Sequence, residues 1–432
     1  MTRAPFKVIR DAEGPKPFRV ALNPKGRQEG QNEASEQERL VVTLLTGGQD
    51  PHYTYGLATS LVDAGVTLDI IGSDALDCPK FHGNPRMRFY NLMGDRSREA
   101  SLASKVRRIG KYYLRLIDYA RSAESRVFHI LWNNRLETFD RTVLMLFYRL
   151  LGKRVVMTAH NVNTRRRDGN DSLLNRLTLR FQYTLSDHIF VHTESMKQEL
   201  VRDYGVSPAA VSVITHGFNN ALPDTSLTPE EAKRRLGLEG SVKVILFFGA
   251  IAPYKGLDLL AEAFLMLVQA NRDFRLVIAG LPKGGCEGYL RGVREELRGE
   301  IEAGTVLERI GYVSDEEIEV YLKAADVLAL PYRAIFYSGI LIMAASFGLP
   351  VVASDVGSFR ADILALQSGL VCRPNDSGDL ARAIEEYFRG DLYRHISEHR
   401  SRIRQVARQK HCWGSVATTT KSAYLSCSQG TR

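Results

Sequence analysis

From Leu40 onward the chain alternates short apolar runs with stretches of helical periodicity. Val41-Val42-Thr43-Leu44-Leu45 is the continuous run expected of a strand buried on both faces. It ends at Gly47-Gly48. Residues 53–64 then read as a helix closed by Gly65, and residues 66–71 as a second strand. The same order returns about 200 residues later, where a strand over 242–248 ends at Gly249. A helix over 256–269 follows, with Leu257, Leu260, Ala261, Phe264 and Val268 on one face, and then a strand over 274–279. The alternation continues with an apolar run over 307–313 and the capping-box sequence Ser314-Asp315-Glu316-Glu317, which opens a helix reaching about Ala325. Strands over 327–331, 351–354 and 370–372 and helices over 340–347 and 379–388 complete it. Two strand–glycine-loop–helix–strand starts predict an α/β protein of two doubly wound, Rossmann-like domains, each with its own parallel sheet. Asn219, Asn220, Pro223, Asp224 and Pro229 cluster where a linker is expected. The expected division is a flexible polar tail over 1–38, a first domain over 39–217, a second over 218–391, and a helical segment over 392–432 that packs back on the first domain.

Composition changes this picture little. Apolar residues make up 44% and charged residues 25% of the 432, close to a globular average. Cys78, Cys286, Cys372, Cys412 and Cys427 show no paired spacing, which argues against a disulfide framework or a zinc site and fits a reducing, cytoplasmic setting. No signal-peptide pattern is visible, and no apolar run approaches the ~20 residues of a membrane-spanning helix. Charge is more informative. Of the net +9, much lies between Ser101 and Arg180, where 17 Lys and Arg face 6 Asp and Glu. Such a region is either a plain solvated basic face or a contact for anionic lipid at the inner face of a membrane or for a phosphate-bearing acceptor. No nucleic-acid-binding signature accompanies it.

In open parallel sheets ligands bind beyond the carboxyl ends of the strands, so chemistry is sought in those loops. In Gly249-Ala250-Ile251-Ala252-Pro253-Tyr254-Lys255-Gly256, Gly249 allows a sharp turn and Lys255 supplies a mobile point charge. Gly256 opens a helix whose amide dipoles favour an anion. The spacing is not that of a Walker A loop. Tyr337-Ser338-Gly339 opens another helix and offers either a second anion site or an ordinary N-cap at Ser338. His160, just past a strand, is a candidate donor to a sugar hydroxyl or a charge-stabilising group, or a histidine that only satisfies loop backbone. Of Arg165-Arg166-Arg167, one or two can face an anionic acceptor. His216 at the proposed hinge either touches a ligand or shapes the turn.

These residues resemble the family 4 glycosyltransferases of GT-B fold, over about residues 40–424. Gly249…Tyr254-Lys255-Gly256 is similar to that family's donor loop, and Ile310-Gly311-Tyr312-Val313 to the segment beside the nucleotide base. Ala325-Asp326-Val327, Pro331-Tyr332 and Gly348-Leu349-Pro350-Val351-Val352-Ala353-Ser354 followed by Val356-Gly357 flank the donor-sugar loop in the same way. Thr158-Ala159-His160-Asn161 resembles the loop whose histidine contacts the donor sugar, and Val213-Ile214-Thr215-His216-Gly217 the hinge strand. The resemblance implies two domains facing across a cleft, transfer from a nucleotide sugar without a metal or other cofactor, and retention of anomeric configuration. It implies catalysis by His160 and donor binding by Gly249, Lys255, Gly256, Tyr312, Ser338 and Gly339. The acceptor, a glycan or lipid-linked molecule, is expected near Gly47, Gly48, Arg165 and Arg166.

The chain also departs from the pattern. Ile335 and Met343 stand where the family usually has glutamates, Ala250 where it has an arginine, and Ala361 where a further glutamate is expected. A sub-branch with Ser-Gly in the sugar loop is similar in lacking these acids. Donor contacts are then left to backbone amides, Lys255 and His160. The competing reading is a GT-B-shaped binding or scaffold protein without catalysis; a nucleotide-sugar epimerase or hydrolase is a third.

Overall fold

The computed structural model describes residues 40–95, 101–238 and 241–429, so the tail expected over 1–38 lies outside the described residues. Two all-parallel sheets organise the rest. The first holds seven strands: β1 (Val41–Leu45), β2 (Thr67–Gly72), β3 (Met87–Asn91), β4 (Val127–Ile130), β5 (Arg154–Thr158), β6 (His188–Val191) and β7 (Val211–Val213). Their order across the sheet is β3-β2-β1-β4-β5-β6-β7. The second holds β8 (Lys243–Phe248), β9 (Phe274–Gly280), β10 (Val306–Ile310), β11 (Val327–Leu330), β12 (Val351–Ser354) and β13 (Gly369–Cys372), in the order β10-β9-β8-β11-β12-β13. Both sheets reverse direction once, between β1 and β4 and between β8 and β11. Reversals of this kind open the crevice in which doubly wound folds bind ligands. The chain thus forms two Rossmann-like α/β domains.

The apolar runs become strands because helices cover both faces of each sheet. Every residue of β11 and β12 is buried, as are all but the first of β1, β5 and β8. Four strands had no counterpart in the sequence pattern. β4 and β6 carry His129 and His188, which lower their hydropathy, and β7 has only three residues. β3 alternates polar and apolar residues at the sheet edge. The segment read as a hinge strand leaves the sheet after Val213.

The chain passes between the sheets twice, and the two crossings lie side by side. The Phe218 amide donates to the His411 carbonyl at 2.7 Å, and His411 Nδ1–H donates to the His216 carbonyl at 2.8 Å. After the second crossing, helix Trp413–Gln429 packs on helix Pro51–Asp63 of the first domain. There the Tyr424 hydroxyl meets His129 Nδ1 at 2.6 Å inside the core. Trp413 fills the junction; a methyl group on Gly56 or on Gly217 would come within 2.3 and 2.1 Å of its ring. The cysteines are all unpaired.

Candidate active site

The loops after β5, β8 and β11 meet in one cleft of about 270 Å³, lined among others by His160, Arg167, Tyr254, Lys255, Tyr332 and Gly339. Backbone geometry explains the glycines. Gly256 has φ +67°, and a Cβ there would stand 2.0 Å from the Pro331 carbonyl oxygen, so the β8 loop and the β11 loop approach as closely as a glycine permits. Gly249, with φ +104°, clears the space for the Lys255 ammonium, which lies 3.2 Å from where its Cβ would be.

Lys255 is not the mobile charge anticipated from sequence. It is 7% exposed, and its ammonium lies over the Tyr332 ring, 5.1 Å from the centroid. No carboxylate pairs with it among the described residues. Burial holds the ammonium below the usual lysine range, and the nearby Arg167 guanidinium adds to that. Ser338 and Gly339 stand at the start of helix Gly339–Ser346, and the Ser338 side chain makes no capping hydrogen bond. The first amides of that helix, which starts in the cleft lining, therefore have no side-chain cap, and the Leu341 amide donates to the Ser338 carbonyl at 3.1 Å.

His160 is set by its neighbours. Its ring stacks on Trp132 at 4.2 Å with an interplanar angle of 4°, and Tyr53 packs edge-on at 4.7 Å. His192, just past β6, donates from Nδ1 to the Ile214 carbonyl at 3.1 Å. Burial pushes His192 down to about 3, so it is neutral and its Nε2 is an acceptor. The proton in the 3.1 Å contact between His192 Nε2 and His160 Nδ1 must then belong to His160. The Tyr337 hydroxyl lies 3.0 Å from the same Nδ1. His160 Nε2 is left as a lone pair, buried and without a hydrogen-bond partner in the protein. Burial also holds this imidazole well below its ordinary range. At neutral pH it accepts a hydrogen bond and is a weak base. His216 stands behind Gly339, where a Cβ would lie 3.2 Å from its Nε2.

Other candidates fall elsewhere. Arg165 pairs with Glu137 at 3.1 Å, and Arg166 with Asp203 at 2.8 Å and Glu199 at 3.3 Å; neither lines the cleft. Arg167 does. Tyr312 is 77% exposed in the loop after β10 and also lies outside the lining. Gly47 and Gly48 have φ of +58° and +65°. Gly47 lines a second cavity, in the first domain, with Lys105, Arg108, Tyr112, Asn134 and Arg135. His192, Trp132 and Tyr53, which fix His160, were missed from sequence. His192 follows the strand rule used for His160, but β6 was not recognised as a strand. Among the described residues no group of three or more His, Cys, Asp or Glu side chains is placed to hold a metal ion.

Two Rossmann-like domains whose strand-end loops share one cleft are the hallmark of the GT-B class. Comparison with known proteins places the chain within it. The family model "Glycosyltransferase Family 4" matches residues 51–222 and "Glycosyl transferases group 1" matches residues 229–410. The chain belongs to the family 4 glycosyltransferases. It is 28% identical over 243 residues to a D-inositol 3-phosphate glycosyltransferase of Corynebacterium aurimucosum, covering 55% of this chain and 56% of that protein. The chain thus spans about half the length of the curated relatives it matches. Sucrose-phosphate synthase from Thermosynechococcus elongatus has the same fold, with a TM-score of 0.69 and 17% identity over 90% of this chain and 98% of that one. So does the Anabaena HepE protein solved with UDP and glucose, with a TM-score of 0.68 and 16% identity over 89% and 99%.

Proposed function

We propose that this protein transfers a sugar from a nucleotide-sugar donor to a glycan or lipid-linked acceptor in polysaccharide or glycoconjugate biosynthesis, with retention at the anomeric carbon and without a metal. The observation that carries this reading is the convergence, in one cleft, of the buried Lys255 ammonium, the uncapped helix start at Gly339 and the His160 imidazole. The first two suit a diphosphate, and the third suits a sugar hydroxyl that donates to it. The HepE structures hold UDP, UDP with glucose, and UDP-glucose, which supports a uridine nucleotide as the first donor to try. Charge develops on the leaving diphosphate, and fixed amides and an ammonium stabilise it there. No carboxylate lines the cleft, which disfavours a glycosyl-enzyme route through an acid. The acceptor oxygen instead bonds to the anomeric carbon on the face from which the diphosphate leaves, and its proton passes to a phosphate oxygen.

The acceptor is expected at an anionic membrane surface. Among the described residues no helix is long and apolar enough to cross a membrane. The outer layer of the first domain nevertheless exposes Val143, Leu146 and Leu150 on one helical stretch and Leu173, Leu177 and Phe181 on its neighbour. Arg176 and Arg180 stand on the same outer face, and the Arg121 guanidinium lies 5.8 Å from the Phe147 ring centre. Apolar tips among cations suit headgroups and the acyl boundary.

The test is calorimetric binding of UDP, GDP and their sugars, followed by product analysis. Lys255→Ala is expected to weaken nucleoside diphosphate binding by about ten- to a hundredfold, the range of a charged hydrogen bond. His160→Ala is expected to lower turnover more than nucleotide affinity. An inverted product anomer by NMR rules out retention. Nucleotide binding without transfer to any glycan or lipid acceptor favours the scaffold reading, in keeping with Ile335 in the cleft lining.

A further inference from the structure

We propose that Arg167, carried by the first domain, is the second cation of the diphosphate subsite and replaces the charge that Ala250 leaves out of the second domain's loop. This rests on the nucleotide-sugar reading above and adds which side chains, from which domain, hold the phosphates.

Ala250 is exposed beside Gly249 and brings no charge to the cleft. Arg167 reaches the same cleft from the short helix Thr164–Arg167 after β5. Its guanidinium lies over the Tyr254 ring, 4.0 Å from the centroid. Tyr254 packs edge-on to Tyr332 at 6.2 Å, and Lys255 Nζ sits over Tyr332 at 5.1 Å. Two cations therefore bracket one aromatic pair, the first from one domain and the second from the other. Arg167 is also held in place. Its Nε donates to Asp168 Oδ1 at 2.9 Å and its Nη2 is ion-paired with the same oxygen, while the other Asp168 oxygen takes the Lys283 ammonium of the second domain. Nη1 makes no hydrogen bond among the described residues.

Bringing two cations together over an apolar floor is unfavourable unless an anion joins them. Burial lowers the Lys255 ammonium most; Tyr254 opposes that shift and Arg167 adds a smaller push in the same direction as burial. The neighbours Arg165 and Arg166 are drawn to acids away from the cleft, whereas Arg167, although paired with Asp168, lines the cleft and keeps Nη1 unbonded among the described residues. A planar guanidinium matches two phosphate oxygens at once, which a second lysine does not. Because its two cations belong to different domains, a bound diphosphate would fasten the cleft from both sides.

Calorimetric titration of UDP and GDP into the full chain tests this, with Arg167→Ala, Arg167→Gln, Lys255→Ala and the double variant Arg167→Ala/Ala250→Arg. The Gln variant keeps an Asp168 partner, which separates loss of charge from loss of packing. Arg167→Ala and Arg167→Gln are each expected to weaken binding by about ten- to a hundredfold and to flatten its salt dependence. Ala250→Arg in the Arg167→Ala background is expected to recover at least tenfold. Affinity within twofold of wild type for both Arg167 variants, with Lys255→Ala still weakened, overturns the assignment and leaves the nucleotide reading standing. A deficit that Ala250→Arg does not recover overturns the equivalence of the two positions. Unchanged affinity in all the variants, Lys255→Ala included, removes the underlying reading as well.

Discussion

His129 in β4 and His192 after β6 are both pushed down to about 3 by burial, and Asp140 is pushed up to about 6, again by burial. The signs oppose. Each histidine is neutral when folded, so its stabilisation is complete above the unfolded value near 6.5 and is lost as pH falls toward 3; at pH 5 each has given up about 2 kcal/mol. Asp140 prefers to be protonated when folded. Its contribution is complete below the unfolded value near 3.8 and is lost as pH rises through about 6. Tyr113 donates to its Oδ1 at 2.8 Å, but Oδ2 is buried without a partner. Asp140→Asn keeps the acceptor and removes the charge. It is expected to stabilise the protein at pH 8 by on the order of 2–3 kcal/mol in urea melts, with the difference gone below pH 4. A variant less stable than wild type at pH 8 would contradict this account. At this scale the site was only partly legible in sequence. Lys255, His160 and Ser338 follow strands, and the position of a residue after a strand is readable. Which of three consecutive arginines faces the cleft is not, because Glu137, Glu199 and Asp203, which draw two of them away, lie on elements distant in sequence.

Unbroken apolar runs were readable even at the four residues of β11, β12 and β13, and runs carrying a histidine were not. The runs that became β1, β8 and β9 have five to seven residues and sit on both sides of a clear helix. β4 is interrupted by His129 and β6 begins on His188, and hydropathy scores histidine as polar although the Tyr424 and Thr158 hydroxyls satisfy His129 inside the core. The junction of helices is likewise a contact between distant residues. Trp413 lies against Gly56 and Gly217, and its Nε1–H donates to the Phe218 carbonyl at 2.8 Å. Gly217→Ala therefore forces the indole to move. It is expected to destabilise by about 1–3 kcal/mol, the range of overpacked sites. In a Trp413→Ala background the same change is expected to cost much less. Equal costs in both backgrounds, measured as a double-mutant cycle, refute the wedge.

For the whole molecule, the distribution of charge was visible in sequence, whereas the distribution of exposed leucines was not, since burial depends on which helix faces outward. Together they give a surface prediction. The protein is expected to bind vesicles containing anionic lipid, with binding that falls as salt rises, and Leu173→Ser/Leu177→Ser is expected to reduce it at least threefold while leaving UDP affinity unchanged. Equal binding of neutral and anionic vesicles, or none, points to a soluble acceptor. The return of helix Trp413–Gln429 to the first domain carries a different consequence, one of timing. The sheet of residues 41–213 is complete about 200 residues before its covering helix is translated, and at ~5–20 residues per second that is a wait of roughly 10–40 s. During it, the face of helix Pro51–Asp63 that will receive Trp413 and Val416 is bare and His129 lacks its tyrosine. The nascent first domain is thus an unfinished, sticky body until the last helix emerges, and shortening the chain at that end should send it to aggregates rather than to a smaller working enzyme.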